Sequence, residues 1–442
     1  MEEINAYIYD KKIGTMIEHQ GVIYFEYDKK FKLEGLEISP IKLNTSKTKD
    51  AYTNPDNTTL YKGIAGVFFD SLPDKHGMAF IDRYFEKQGL KSYEVNLLNK
   101  LAFIGDRGMG AIEYVPKEND ISITSDIAIN AKEAYEELKQ NLQNDDSSIE
   151  SLMNIRQSVS PVGGGRPKML VQYNYETNEI RLNKKELHKG YIRAIIKFDE
   201  IYEEVGSIGL TKLEYIFMSM AKEIGINTSE FQLINEGNSK HLLVKRFDRD
   251  DNDEKIHMCT AAGLMHLDIS ILKATSYEYL FMLTRNICKS QEDIEELFKR
   301  MVLNILISNY DDHAKNFAYL MNKNGIWRLS PAYDITYSKG LLKSHTTTVC
   351  GKDLDITRAD VLEIAKAQGI KSTTATKILD KCIEVVRTFE EKAKEIELDV
   401  ETIKECMNHI NTQIELLHVI WKKSKFTQKI SIKLVELILP IL

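Results

Sequence analysis

SNYDDHAKNF, residues Ser308–Phe317, gathers Asp311, Asp312, His313, Lys315 and Asn316 into six consecutive positions. It follows an amphipathic run, Ile294–Ile307, and precedes FAYLMNKNGIWRL (Phe317–Leu329), which reads as a β-hairpin turning at Asn324-Gly325. Two carboxylates, an imidazole, an ammonium and an amide are more polarity than a helix-to-strand connection needs. The alternatives are a solvated polar loop and a reactive one.

The spacing bears on that choice. Asp311 is followed five positions later by Asn316, as in the catalytic loop of kinases, where the Asp takes a hydroxyl proton and the Asn holds a metal ion. LSPAYDITYS (Leu329–Ser338) then puts Asp334 just past the hairpin, whose exit returns beside its entry. Asn316 and Asp334 beside a polyanionic phosphate make sense only with a divalent cation between them, most naturally magnesium. An ordinary loop aspartate is the alternative for Asp334.

Upstream, Val162, Gly163, Gly164, Gly165, Arg166, Pro167 and Lys168 lie between two strand-like runs. Glycines there allow backbone N–H groups to face phosphate oxygens, and equally make a flexible turn. Lys197 ends the apolar strand of YIRAIIKFDE (Tyr191–Glu200). It reads either as a phosphate-facing lysine or as a solvated strand end. The helix Lys212–Glu223, closed by Gly225, carries Glu214, a partner for Lys197 or a surface residue. Ala131–Leu142 is expected to be helical. HLLVKRFDRD (His241–Asp250) is a further strand, and Tyr277–Asn286 and Val361–Lys394 have helical spacing. Strands first and helices later is α+β order.

These segments, in the order GGGRPK, IIKFDE, VKRFDR, NYDDHAKNF and LSPAYDI, resemble the HipA family of type II toxin–antitoxin kinases. GVFFDSLPD (Gly66–Asp74) and GDRGMGAIEY (Gly105–Tyr114) resemble its N-terminal subdomain. The resemblance implies an α+β, bilobal protein-kinase-like fold. Its parts would be an N-terminal subdomain over 1–125, a sheet lobe over 126–249 and a helical lobe over 250–442. It implies a serine/threonine protein kinase using ATP and Mg2+. Asp311 would be the base, with His313 and Lys315 near the moving phosphate. Asn316 and Asp334 would bind the metal, and Lys197 the phosphates. Gly163–Lys168 would form the phosphate loop. Lys245, Arg246 and Phe247 would form the hinge, with Asp248 and Tyr333 lining the nucleotide site. The family often places a serine seven residues before the final lysine of that loop. Pro161 stands there in this chain, which moves any autophosphorylation to Ser160 or Ser158. A HipB-like helix-turn-helix antitoxin would carry it indirectly to DNA, and a protein, such as an aminoacyl-tRNA synthetase, would be its substrate.

The bulk composition agrees. A 442-residue chain with 43% hydrophobic and 28% charged residues is an ordinary folded protein. A net charge of −7 argues against tight DNA binding by the chain alone. Five scattered cysteines, without a CxxC pair, suit a reduced, cytoplasmic protein. The apolar C-terminal ISIKLVELILPIL, broken by Lys433 and Glu436, falls short of the ~20 residues that span a bilayer, and reads as a segment docked on the protein. Two rival functions are a metal-dependent hydrolase using Asp311, Asp312 and His313, and a catalytically silent corepressor module.

Overall fold

The computed structural model describes residues 2–55, 58–73, 75–116, 128–129, 133, 168–199, 201–202, 206–207, 209–237, 239–271, 273–340 and 342–418. The Gly163–Arg166 loop, Ser158, Ser160, nearly all of the expected helix at 131–142, the boundary at 125/126 and the C-terminal tail lie outside these residues.

The chain opens with a four-stranded antiparallel sheet, ordered Val22–Tyr27, Lys11–His19, Glu3–Ile8, Ile112–Val115. Ile4, Ala6 and Ile8 point to its buried face in strict alternation. Both hairpins turn on two residues of positive φ, Tyr9-Asp10 and Gln20-Gly21, whose twist matches that of the strands. Only the second contains a glycine, so the strand Lys11–His19 is not apparent from turn chemistry.

A six-stranded antiparallel sheet follows, in the order Phe231–Glu236, Ser239–Lys245, Ile192–Lys197, Lys168–Asn174, Glu179–Leu182, Ala128–Ile129. Its two faces are covered differently. Met169, Val171, Ala194 and Ile196 pack under Phe80, Ile81 and Phe103 from the N-terminal helices Lys75–Lys87 and Leu97–Ile104. Leu242 and Val244 face Met218 on the helix Leu210–Ile224. Lys168 and Leu242 are the cross-strand partners of Lys197, so all three side chains share the face under that helix.

The remainder is mainly helical, as its spacing predicts. The helices Tyr277–Cys288 and Gln291–Leu306 bury Leu280, Phe281, Leu297, Met301 and Ile305. The expected run at 361–394 is three helices, Arg358–Ala367, Ser372–Val386 and Phe389–Glu395, interrupted at Gly369 and again at Arg387-Thr388. The hairpin appears where expected, as Ala318–Met321 and Trp327–Leu329. It gains a third strand, His257–Thr260.

The N-terminal strands share one continuous core with the helical lobe: Ile4, Ala6 and Phe68 belong with Ala261, Met301 and Leu417. The N-terminal part therefore grips both lobes, with its helices on the large sheet and its strands on the helical core. No helix among the described residues is long and apolar enough to cross a membrane.

Candidate active site

Lys197 leaves its strand on the face covered by the helix Leu210–Ile224, and Glu214 stands on that helix where the ammonium arrives. Lys197 Nζ donates to Glu214 Oε1 at 2.7 Å and also meets the Asp334 carboxylate. Glu214 is 3% exposed and the lysine side chain 10%. Burial alone would push the ammonium towards neutrality, but Asp334 and Glu214 outweigh it and its pKa is pushed up to about 12. The lysine therefore carries its charge throughout the physiological range. Asp199, two residues on, ties this strand to the helix start by accepting the Gly209 N–H at 3.2 Å.

The polar loop divides its labour between two neighbouring aspartates. Asp311 is open to solvent, its side chain 62% exposed, with His313 Nε2 3.8 Å from Oδ1. Asp312 is fully buried and accepts from Tyr277 Oη at 3.1 Å, His345 Nδ1 at 3.0 Å and the Thr347 N–H at 3.0 Å. It cannot ligate a metal without abandoning these partners, which removes one leg of the hydrolase reading. Among the described residues no three His, Cys, Asp or Glu side chains converge as a metal cluster. Ala314–Asn316 forms a single 3-10 turn, and Asn316 Nδ2 donates back to the Asp311 carbonyl at 2.8 Å.

A buried chain of hydrogen bonds joins this loop to Asp334. Asn304 Nδ2 donates to Tyr277 Oη at 3.0 Å, and Asn309 Nδ2 donates to Asn304 Oδ1 at 3.1 Å and to the Asp334 carbonyl at 3.3 Å. A second tie runs from Tyr333 Oη to the Lys315 carbonyl at 2.6 Å. Tyr277, Asn304, Asn309 and His345 are absent from the sequence reading of the site. For Tyr277 and Asn304 the one signal is polarity on an otherwise apolar helix face, which has many other causes; Asn309 and His345 stand outside the helices and carry no such signal.

The segment expected to form the hinge places one of its side chains beside Tyr333. The Phe247 ring sits 5.7 Å from that of Tyr333, so these two residues do meet. The flanking side chains are engaged elsewhere. Lys245 Nζ reaches Glu230 at 3.0 Å. Arg246 Nη2 and Arg249 Nη1 converge on Asp248 Oδ2 at 2.7 and 2.8 Å, where the Gly110 N–H also donates at 2.7 Å. Burial would raise this carboxyl, but the two guanidiniums and the N–H hold it well below the usual range. Arg246 and Asp248 thus staple the N-terminal part to the hinge, leaving only their backbone for a ligand. Lys168 is buried beside Lys197, its cross-strand partner.

The oxygen donors of Asn316 and Asp334 suit magnesium, which takes one or two protein oxygens and completes its shell with water and phosphate. Asn316 commits its amide nitrogen to the loop, and among the described residues its Oδ1 has no hydrogen-bond partner.

A sheet lobe and a helical lobe meeting at an ammonium between two carboxylates is the layout of protein-kinase-like proteins. Within that class the chain belongs to the HipA family. Residues 160–391 match the HipA-like C-terminal domain and residues 4–115 the HipA N-terminal domain. A relative in Shewanella oneidensis, the serine/threonine-protein kinase toxin HipA, is 23% identical over 333 residues, covering 70% of this chain and 68% of the relative. A putative kinase of Haemophilus influenzae is 29% identical over 141 residues, 28% of this chain and 40% of its own length. The fold is similar to that of S. oneidensis HipA solved with HipB and operator DNA, with a TM-score of 0.66 and 18% identity over 94% of this chain and 97% of that one.

Proposed function

We propose that this chain is an ATP-dependent serine/threonine protein kinase that acts as a growth-inhibiting toxin. The observation that carries the reading is the buried contact of Lys197 with both Glu214 and Asp334. It brings together a sheet lysine, a helix glutamate and a metal-type aspartate that lies 137 positions from the lysine. In this reading Lys197 and Lys168 hold phosphate oxygens, and Phe247 and Tyr333 flank the base. Backbone groups at Lys245–Phe247 take the adenine edge. Asp311 Oδ1 accepts the proton of a serine or threonine hydroxyl as its oxygen bonds to the γ-phosphorus and ADP leaves. His313 and Lys315 stand beside the transferred group. Magnesium, held by Asn316 and Asp334, would supply charge neutralisation between the phosphates.

By analogy with the S. oneidensis complex, a HipB-like antitoxin would restrain the chain and bring it to DNA. The net charge of −7 supports an indirect route. The five cysteines are all free, in keeping with a cytoplasmic setting. Autophosphorylation at Ser160, or at Ser158, completes the proposal: about −1.5 to −2 added charge beside the phosphate loop would repel nucleotide. Phosphoproteomics after brief expression of wild type and Asp311→Asn tests the whole reading. Phosphosites on a cellular protein and on Ser160 that vanish in the variant support it. Equal growth arrest by both forms would rule out a kinase toxin.

A further inference from the structure

The catalytic loop carries a lysine whose surroundings come from the other end of the chain. Lys315 Nζ lies over the ring of Phe69, 5.7 Å from its centroid. Phe69 ends the short helix Gly66–Phe69 in the N-terminal part. Lys315 makes no ion pair with any carboxylate among the described residues, so this ring is its defined neighbour. A lysine stem has four rotatable bonds, and an ammonium left to wander is a poor electrostatic catalyst. Rate comes from charge already in place when the transition state forms.

Phe69 is itself held firmly against the loop. The next residue, Asp70, accepts the Thr260 N–H at 2.7 Å and the Thr260 hydroxyl at 3.1 Å. Thr260 Oγ1 in turn caps the helix Ala261–Met265 by accepting the Gly263 N–H at 3.1 Å. The Ala261 N–H donates at 2.7 Å to the carbonyl of Phe317, the residue after Asn316. Glycines let these pieces close up: a Cβ on Gly66 would lie 2.2 Å from the Gly263 carbonyl oxygen, and one on Gly263 only 2.3 Å from Asp70 Oδ2. The path from Phe69 through Asp70 and Thr260 to the loop exit is thus short and without slack. Burial raises the Asp70 carboxyl and the positive charge of Lys315 opposes that rise, so the two groups sense each other without touching.

We propose that Phe69 is a positioning residue for phosphotransfer, holding the Lys315 ammonium beside the transferred phosphate, with Asp70 pinning Phe69 to the loop. This rests on the kinase reading of Asp311 and Asn316. It gives the N-terminal part a role inside the active site as well as in the fold.

The test is a double-mutant cycle on the full chain with Phe69→Leu and Lys315→Met, plus Phe69→Trp, which restores a π-face. Labelled γ-phosphate from ATP is followed into the chain itself and into casein, and melting curves confirm folding. An exposed cation–π contact of ~1 kcal/mol corresponds to roughly fivefold in rate. Phe69→Leu should therefore lower turnover at saturating ATP about fivefold. The KM for ATP should hold, and Phe69→Trp should recover most of the rate. In the Lys315→Met background the leucine should cost nothing further. A cost that persists in full there, or a tryptophan no better than leucine, overturns the proposal. A wild type inactive on both acceptors, or an active Asp311→Asn, overturns the kinase reading first.

Discussion

Lys197 Nζ and Glu214 Oε1 lie 2.7 Å apart between a sheet and a helix that are joined by a 12-residue connection, 198–209. Glu214 is almost fully buried, so the pair is desolvated and its geometry is set by packing. Glutamine at 214 would keep the shape and an acceptor but remove one of two charges stabilising the ammonium. A hydrogen bond to a charged group is worth about 1.5–3 kcal/mol. Glu214→Gln is therefore expected to lower kcat/KM for ATP roughly 10- to 100-fold with circular dichroism unchanged. Steady-state kinetics on the folded variant check this, and unaltered kinetics would remove Glu214 from the site.

Asp311→Asn and Asp334→Asn should each remove phosphotransfer without unfolding the chain. Asp311 is solvent-exposed and bears little of the fold, so its loss should register in rate alone, by ~10²–10⁴-fold. Asp334→Asn leaves Lys197 with Glu214 but withdraws the charged oxygen donor. The two variants should therefore differ in magnesium response, with added Mg2+ partly rescuing Asp334→Asn and leaving Asp311→Asn silent. Titrating Mg2+ in a phosphotransfer assay distinguishes them.

Much of this site could be read before the fold was known because its polar residues are concentrated in short runs. Asp311–Asn316 stand out by carrying more polarity than a plain loop needs, whereas Lys197 alone reads equally as a solvated strand end and gains meaning only beside the other motifs. Glu214 was open to two readings, since a helix glutamate near Leu213 and Ile216 can face either way; register decides, through Leu242 opposite Lys197. The staple that joins Asp248 to Gly110 is not legible in the sequence because it spans 138 positions. The strand Lys11–His19 was hidden by a Tyr9-Asp10 turn that lacks glycine. Local chemistry is visible in sequence, whereas which distant backbone completes it is a property of packing.

Tyr277→Phe tests the buried network beneath the loop. Its hydroxyl donates to Asp312 and accepts from Asn304, and both partners are buried. Phenylalanine fills nearly the same volume, so the loss is polar, leaving Asn304 Nδ2 without its acceptor. The expected destabilisation is about 1–3 kcal/mol, read by urea denaturation. Because Asn304 holds Asn309, and Asn309 holds the Asp334 carbonyl, turnover should fall as well. A variant as stable and as active as wild type would show that the network does not support the site.

His257 should set part of the acid limit of stability. It is fully buried on the strand His257–Thr260, packed edge-on against Trp327, with Nε2–H donating to the Ile38 carbonyl at 2.9 Å. Among the described residues Nδ1 has no hydrogen-bond partner, so protonation there would leave a charge in an apolar setting. Burial holds the imidazole down at about 4, from an ordinary value of 6.5, with the Ile38 contact opposing only in part. Between these two values the unfolded chain binds the proton and the folded chain does not. Stability is therefore intact above pH 6.5 and is lost as pH falls towards 4, by about 3 kcal/mol from this group. Below that, both states are protonated and the slope from His257 ends. Urea unfolding of His257→Gln beside wild type, from pH 7 to pH 4, isolates the effect. The glutamine amide can still donate to Ile38, so the variant should lose less stability across that window. Parallel pH profiles for the two proteins would show that another group sets the acid limit.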